Sequence, residues 1–140
     1  MSERKWRRSP WLSLGAWLAV ALAGLMIVNT VRAFVEPVEF ARYMGLPLSD
    51  AANAAFVQVY GLRAAFLGLF ALVLLWRADM FALGAFAAVA VVMPLGDAVL
   101  AAQAGAPVAI IARHLISAAV LIVMAYVTRR WAFANADLIP

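Results

Sequence analysis

The sequence predicts an all-α fold: a bundle of four transmembrane helices with a short interfacial helix between spans 1 and 2. Three observations carry this. Of the 140 residues 68% are hydrophobic, and the mean hydropathy is +0.98; a soluble domain holds roughly 45–50% apolar residues. The apolar residues fall into four runs, each near the roughly 20 residues that cross the hydrocarbon core of a bilayer. Most basic residues and most tryptophans stand at the ends of those runs, where they anchor a helix at the membrane surface. The length holds one integral membrane domain, residues 1–140, and no separate soluble domain.

The elements follow in order. Span 1 covers about residues 11–32, after a basic start with Arg4, Lys5, Arg7 and Arg8. Arg7-Arg8 and Val31-Arg32-Ala33 also have the look of a twin-arginine address and a cleavage site. The apolar run is longer than the roughly 7–15 residues of a signal h-region, which favours a retained span. Pro37 suits the first turn of a helix, and Gly45 followed by Pro47 stops it, so a short helix over about 37–44 is expected at the interface. Val38, Phe40, Ala41 and Met44 can lie on one side of it. Ser49 or Asp50 caps span 2, which runs over about 51–76. Arg77-Ala78-Asp79 is a tight turn before span 3, about 80–102, in which Pro94 can introduce a kink. Gln103–Pro107 is a second tight turn, and Pro107 starts span 4, about 107–128.

Positive charge sets the orientation. One side collects Arg4, Lys5, Arg7, Arg8, Arg77, Arg129 and Arg130, the other only Arg32 and Arg42. The rule that cytoplasmic loops carry the excess of Lys and Arg then places both termini in the cytoplasm. Trp6, Trp11, Trp76 and Trp131 fall on that same side. The expectation is a multi-pass protein of the cell membrane. Small residues mark the packing faces: Gly61, Ala64, Ala65 and Gly68 in span 2, and Gly84, Ala87, Ala88 and Ala90 in span 3, since close backbone approach drives helix association in lipid.

Several function classes drop out. There are no cysteines, so thiol–disulfide chemistry and thiolate metal sites are excluded. A single histidine cannot make an intrachain two-histidine metal or haem site. No cofactor and no metal are therefore expected. The net charge of +4 resides at span ends, so it speaks of the bilayer and not of nucleic acid.

What remains is a small set of polar residues within the spans. An intramembrane charge costs about 2.5–3.5 kcal/mol even on the gentlest scale, so it must be paired or face a wet cavity. At 1.5 Å per residue, Asp97 lies about 9 Å and His114 about 10 Å below one end of the bundle, with Arg63 about 20 Å down. The long side chain of Arg63 can snorkel toward the other two. His114, Asp97 and Arg63 are the candidate catalytic residues. Tyr60, Arg63, Ser117 and Asn29 are the candidate substrate-binding residues, with Glu36, Glu39 and Arg42 over the mouth. Each has a plainer alternative. Arg63–Asp97 also reads as a buried ion pair fixing helix register, His114 as a donor to a backbone carbonyl in a neighbouring turn, and Arg113 as a headgroup anchor.

Pro37, Phe40-Ala41, Met44-Gly45-Leu46-Pro47, Tyr60-Gly61-Leu62-Arg63, Leu67-Gly68-Leu69, Asp97 and His114, taken in that order, resemble the pattern of a family of small four-helix integral membrane proteins described only as a domain of unknown function. The resemblance covers about residues 34–127. The glycine-and-arginine second span is similar, more distantly, to DoxX-like four-helix membrane proteins. The resemblance implies four spans and draws attention to Arg63, Asp97 and His114; it brings no chemistry with it.

Three functional readings follow. The first is an outward-opening polar pocket that binds a small lipophilic substrate, with or without transforming it by acid–base chemistry; if it does, His114 is base or acid, Asp97 orients it or serves as the acid, and Arg63 holds an oxyanion, carboxylate or quinone-like carbonyl. The second is an accessory or structural subunit of a larger membrane complex. The third is a proton-coupled small-molecule transporter. The partners these imply are the lipid bilayer, a small lipophilic ligand, and a membrane-protein partner or a second copy of the chain.

Overall fold

In a computed structural model, which describes residues 9–135, the chain is a helical membrane protein with four helices long and apolar enough to cross a bilayer. The basic residues Arg4, Lys5, Arg7 and Arg8, and Trp6 with them, lie outside the described residues. Span 1 is α1, Leu14–Val35. It starts later than expected because Pro10–Leu12, including Trp11, forms a 3-10 turn. Ser13 then caps the helix, its Oγ accepting from the Ala16 N–H at 3.1 Å, which satisfies a donor left free in the first turn.

The short helix α2, Pro37–Tyr43, has proline in its first turn as expected. Phe40 and Ala41 are buried under it, but Val38 is exposed. Helical spacing explains this: a buried face through Phe40, Ala41 and Met44 leaves Val38 on another side. Glu39 and Arg42 do not cover a mouth; they pair with each other at 2.8 Å on the exposed side.

Span 2 is α3, Ala54–Trp76. Asp50 caps not this helix but the 3-10 turn Ala51–Asn53 before it, accepting from the Ala52 N–H at 2.9 Å. Span 3 comes in two pieces, α4 (Met80–Ala90) and α5 (Val92–Gln103). The break falls at Val91, which keeps helical angles of φ −55° and ψ −31°. Pro94 is the physical cause: it has no N–H for the Ala90 carbonyl, and its ring crowds that carbonyl. Span 4 is α6, Val108–Ala134. It runs past the expected end near Thr128, because no glycine or proline interrupts 108–134 and Arg129 and Arg130 suit the negative end of a helix.

The helices form two antiparallel pairs. α1 packs along α3, and α6 packs along both α4 and α5. α1 with α6, and α3 with α4, join the pairs, the latter through Phe70 edge-on to Phe86 with ring centroids 5.4 Å apart. Glycine makes the close approaches. A Cβ on Gly61 would lie 2.7 Å from that of Ala33, and the gap lets the Thr30 hydroxyl of α1 donate to the Gly61 carbonyl of α3 at 2.8 Å. Gly61, Ala64, Gly68, Gly84 and Ala87 are buried as expected, while Ala88 faces outward.

The fully packed core, built from Leu75, Met80, Leu83 and Met124, fills the half of the bundle nearer the chain termini. Trp11, Trp76 and Trp131 stand at that end. The other half carries α2 and holds the polar residues.

Candidate binding site

The site exists because α5 diverges. After the Pro94 break α5 stays with α6, while α3 stays with α1 and α4. The opening between them is a cavity of about 130 Å³ bounded by all four spans and the end of α2. Its inner walls are apolar: Leu22, Leu25 and Met26 from α1, Leu67 and Ala71 from α3, Phe86 and Ala90 from α4, Leu121 from α6. The expectation of a polar pocket is thus corrected to a mainly apolar cavity carrying a few polar groups.

Those groups are arranged by depth. Asn29 lies six residues before the end of α1, Tyr60 six after the start of α3, Asp97 six before the end of α5 and His114 six after the start of α6. At 1.5 Å per residue all four stand about 9 Å inside the same end of the bundle. Each span therefore contributes one polar side chain at one level, and all four line the cavity. Ser117 lines it nearly one turn deeper, its hydroxyl tied back to the Arg113 carbonyl at 3.0 Å.

The ring is only partly satisfied from within. The Tyr60 hydroxyl donates to Asp97 Oδ2 at 3.4 Å, long for an O–H···O bond, which is commonly about 2.5–3.0 Å. His114 is 7% exposed and its Nε2 lies 3.1 Å from the Met44 carbonyl. A carbonyl only accepts, so Nε2 carries the proton, and in the neutral imidazole Nδ1 is left as an acceptor. The plainer reading of His114, as donor to a backbone carbonyl, is thus realised without using its second nitrogen. Asn29 is 8% exposed and its amide makes no hydrogen bond to another side chain or backbone group among the described residues.

The mouth is covered by the end of α2. Arg113 does not reach away toward lipid as expected: it lines the cavity and donates to the Tyr43 carbonyl. Its guanidinium carbon stands 3.9 Å from the Tyr43 ring centroid, and that of Arg32 stands 4.2 Å from the same centroid. Two cation–π contacts, each worth about 0.5–2 kcal/mol, and the His114–Met44 bond hold α2 in place. Phe40 adds a tilted contact with Tyr60 at 6.0 Å.

Arg63 is not brought to this site. It is exposed and does not line the cavity. Among the described residues the one ion pair is Glu39–Arg42, so neither the expected Arg63–Asp97 pair nor the convergence of Arg63 with Asp97 and His114 forms. Gly61, Ala64, Gly68 and Ala71 are the buried face of α3, and Arg63, one residue from Ala64, is turned off that face by about 100°.

Sequence reasoning missed Tyr43 and Met44. An aromatic just before the Gly45 stop was a usable signal for Tyr43. Met44 acts through its carbonyl, which residue identity does not reveal. The assembled groups are a carboxyl, a phenol, an amide and an imidazole acceptor around the entrance to an apolar slot. Such a set can fix the polar head of a small molecule whose body lies in the slot.

The profile of one protein family matches residues 21–128. No curated protein and no solved structure matches the chain. The family match runs from within span 1 to the Thr128 turn of span 4 and takes in every residue of the ring: the chain belongs to the family described as Domain of unknown function (DUF4267).

Proposed function

We propose that this protein resides in the cell membrane with both termini cytoplasmic and binds a small lipophilic molecule in the cavity between its spans. The observation that carries the reading is the level ring: one polar side chain from each span at the head of an apolar slot. Ligand sites are commonly mostly apolar with a few convergent polar groups, and polar residues inside membranes are expensive enough to be functional by default. Acid–base turnover of the bound molecule is the extension of this reading, with His114 Nδ1 as the proton acceptor and Asp97 beside it in the ring. Arg63 has no part in it. The roles of accessory subunit and proton-coupled transporter have no comparable observation behind them.

The binding claim is tested by extracting the purified protein and identifying what it carries by mass spectrometry. The wild type is expected to hold an apolar small molecule at close to one per chain. Ala90→Trp, which fills the slot from α4, is expected to lose it while staying monodisperse. Equal content in the two proteins rejects the reading.

The orientation rests on Arg77, Arg129 and Arg130 and on Trp11, Trp76 and Trp131, all at one end of the bundle. Because the chain has no cysteine, single cysteines placed at Asp50 and Arg77 can be labelled cleanly. An impermeant thiol reagent added to intact cells is expected to modify the first and not the second. Modification of both from outside contradicts the topology.

A further inference from the structure

We infer that the bound molecule is a hydroxyl-bearing lipophile, an alcohol or a phenol, whose O–H donates to Asp97 and whose oxygen accepts from the Asn29 amide. This rests on the binding reading above and deepens it.

The polar ring has unused hydrogen-bonding capacity. Both oxygens of a carboxyl can accept hydrogen bonds, and Asp97 has only Oδ2 engaged, by Tyr60 at 3.4 Å. No guanidinium meets it: Arg63 is turned outward and Arg113 is engaged by the carbonyl and ring of Tyr43. Asn29, nine-tenths buried on the cavity wall, has two amide donors and a carbonyl oxygen without a partner among the described residues. His114 adds an acceptor at Nδ1 once Nε2 is committed to Met44. The ring therefore presents several acceptors and one amide donor pair to whatever fills the slot.

Head groups can be compared against that set. A carboxylate or phosphate brings a charge of its own into a mainly apolar slot, and an unpaired charge is costly to bury. An ether or ketone accepts from Asn29 but leaves Asp97 unmet, and an unmet buried polar group keeps its desolvation penalty. An ammonium satisfies Asp97 but brings only donors, so it leaves the Asn29 amide donors unmet, and it adds a positive charge to a cavity that Arg113 already lines. A hydroxyl donates once and accepts twice, so it offers a donor to Asp97 and an acceptor to Asn29, both of which line the cavity, without adding charge. The tail is specified by the slot. Leu22 and Leu121 lie seven residues deeper than the ring members of their helices, and Ala71 and Phe86 eleven, which gives an apolar depth of about 10–16 Å.

The test uses the full chain in lipid nanodiscs with three photoreactive probes on one medium-length, diazirine-bearing alkyl tail: the alcohol, its methyl ether and the corresponding carboxylate. Labelled residues are mapped by mass spectrometry. The alcohol is expected to label cavity residues at least about tenfold more than the ether or the carboxylate, the discrimination set by leaving a buried polar group unpaired. Asp97→Leu and Asn29→Leu are each expected to remove most of that preference, and either variant suffices if the other does not fold. Equal cavity labelling by alcohol and ether, or a preference that survives both variants, overturns the hydroxyl assignment and leaves the binding reading standing. Absence of cavity labelling by all three probes overturns both.

Discussion

Replacing Gly84 by leucine is expected to force α4 away from α6 and to cost about 3 kcal/mol of stability, the upper end of ordinary overpacking penalties. A Cβ at this position would lie 2.7 Å from Arg129 Cγ, 2.8 Å from Thr128 Oγ1 and 3.3 Å from the Ala125 carbonyl oxygen. The arginine stem can give way, but the helix backbone of α6 cannot without moving the pair apart. Thr128 has no freedom either: it is fully buried and its hydroxyl donates to the Met124 carbonyl at 2.6 Å. Gly96→Leu is the control, because nothing lies within 4 Å of a Cβ built there. Unfolding midpoints in detergent are expected to fall for Gly84→Leu and to stay near wild type for Gly96→Leu. Similar losses in the two would mean that close α4–α6 approach is not what holds this half together.

Gly45→Val is expected to detach α2 from the cavity mouth, with a destabilisation of about 3 kcal/mol from two sources. Gly45 has φ +83°, and a left-handed backbone costs an L-residue roughly 1–2 kcal/mol. Its Cβ would also stand 2.8 Å from Ile110 Cγ2, 3.0 Å from Ala106 Cβ and 3.2 Å from Ala101 Cβ, adding about 1–3 kcal/mol of overpacking. Gly105→Val separates the two terms: it has φ +73° but open space around the Cβ. A cysteine placed at Ala41, which is buried under α2, is expected to react about tenfold faster with a water-soluble thiol reagent in the Gly45→Val background, the factor that a shift of about 1.4 kcal/mol in an opening equilibrium brings. No acceleration, with Gly105→Val equally destabilised, would show that the turn and not the clash fixes α2.

The four spans were legible because length and hydropathy suffice to recognise a membrane helix. Pro37 and Gly45–Pro47 likewise bounded α2. Counting residues inward from the turns placed Asp97 and His114 at one level; Asn29 and Tyr60 were named for the site on other grounds, and the same count sets them level too. The count measures depth along an axis and says nothing of direction around it. That is why Arg63 was drawn into the site. A soluble helix betrays its inward face by an apolar stripe, but α3 is apolar on both faces, and only its small residues distinguish them. Gly61, Ala64 and Gly68 were the available cue, and they turn Arg63 outward. The Val91 break was half legible: Pro94 foretold a kink, but not that α5 would follow α6 and leave α3. The contacts of Met44 and Tyr43 depend on how α2 folds back, which no local pattern encodes.

Arg63, facing outward between the exposed Leu62 and Phe66, makes a demand on the surrounding lipid. It stands nine residues into α3, about 13–14 Å along the axis, so its guanidinium cannot lie in undisturbed hydrocarbon. The charge is met by the side chain snorkelling to the surface, by headgroups and water dipping toward it, or by a polar group of a neighbouring membrane protein. Even with such relief an arginine at mid-membrane costs about 2.5–3.5 kcal/mol. The exposed flank of α3 is thus the one face of the bundle, among the described residues, where a charge stands deep along a span and has to be met from outside the chain.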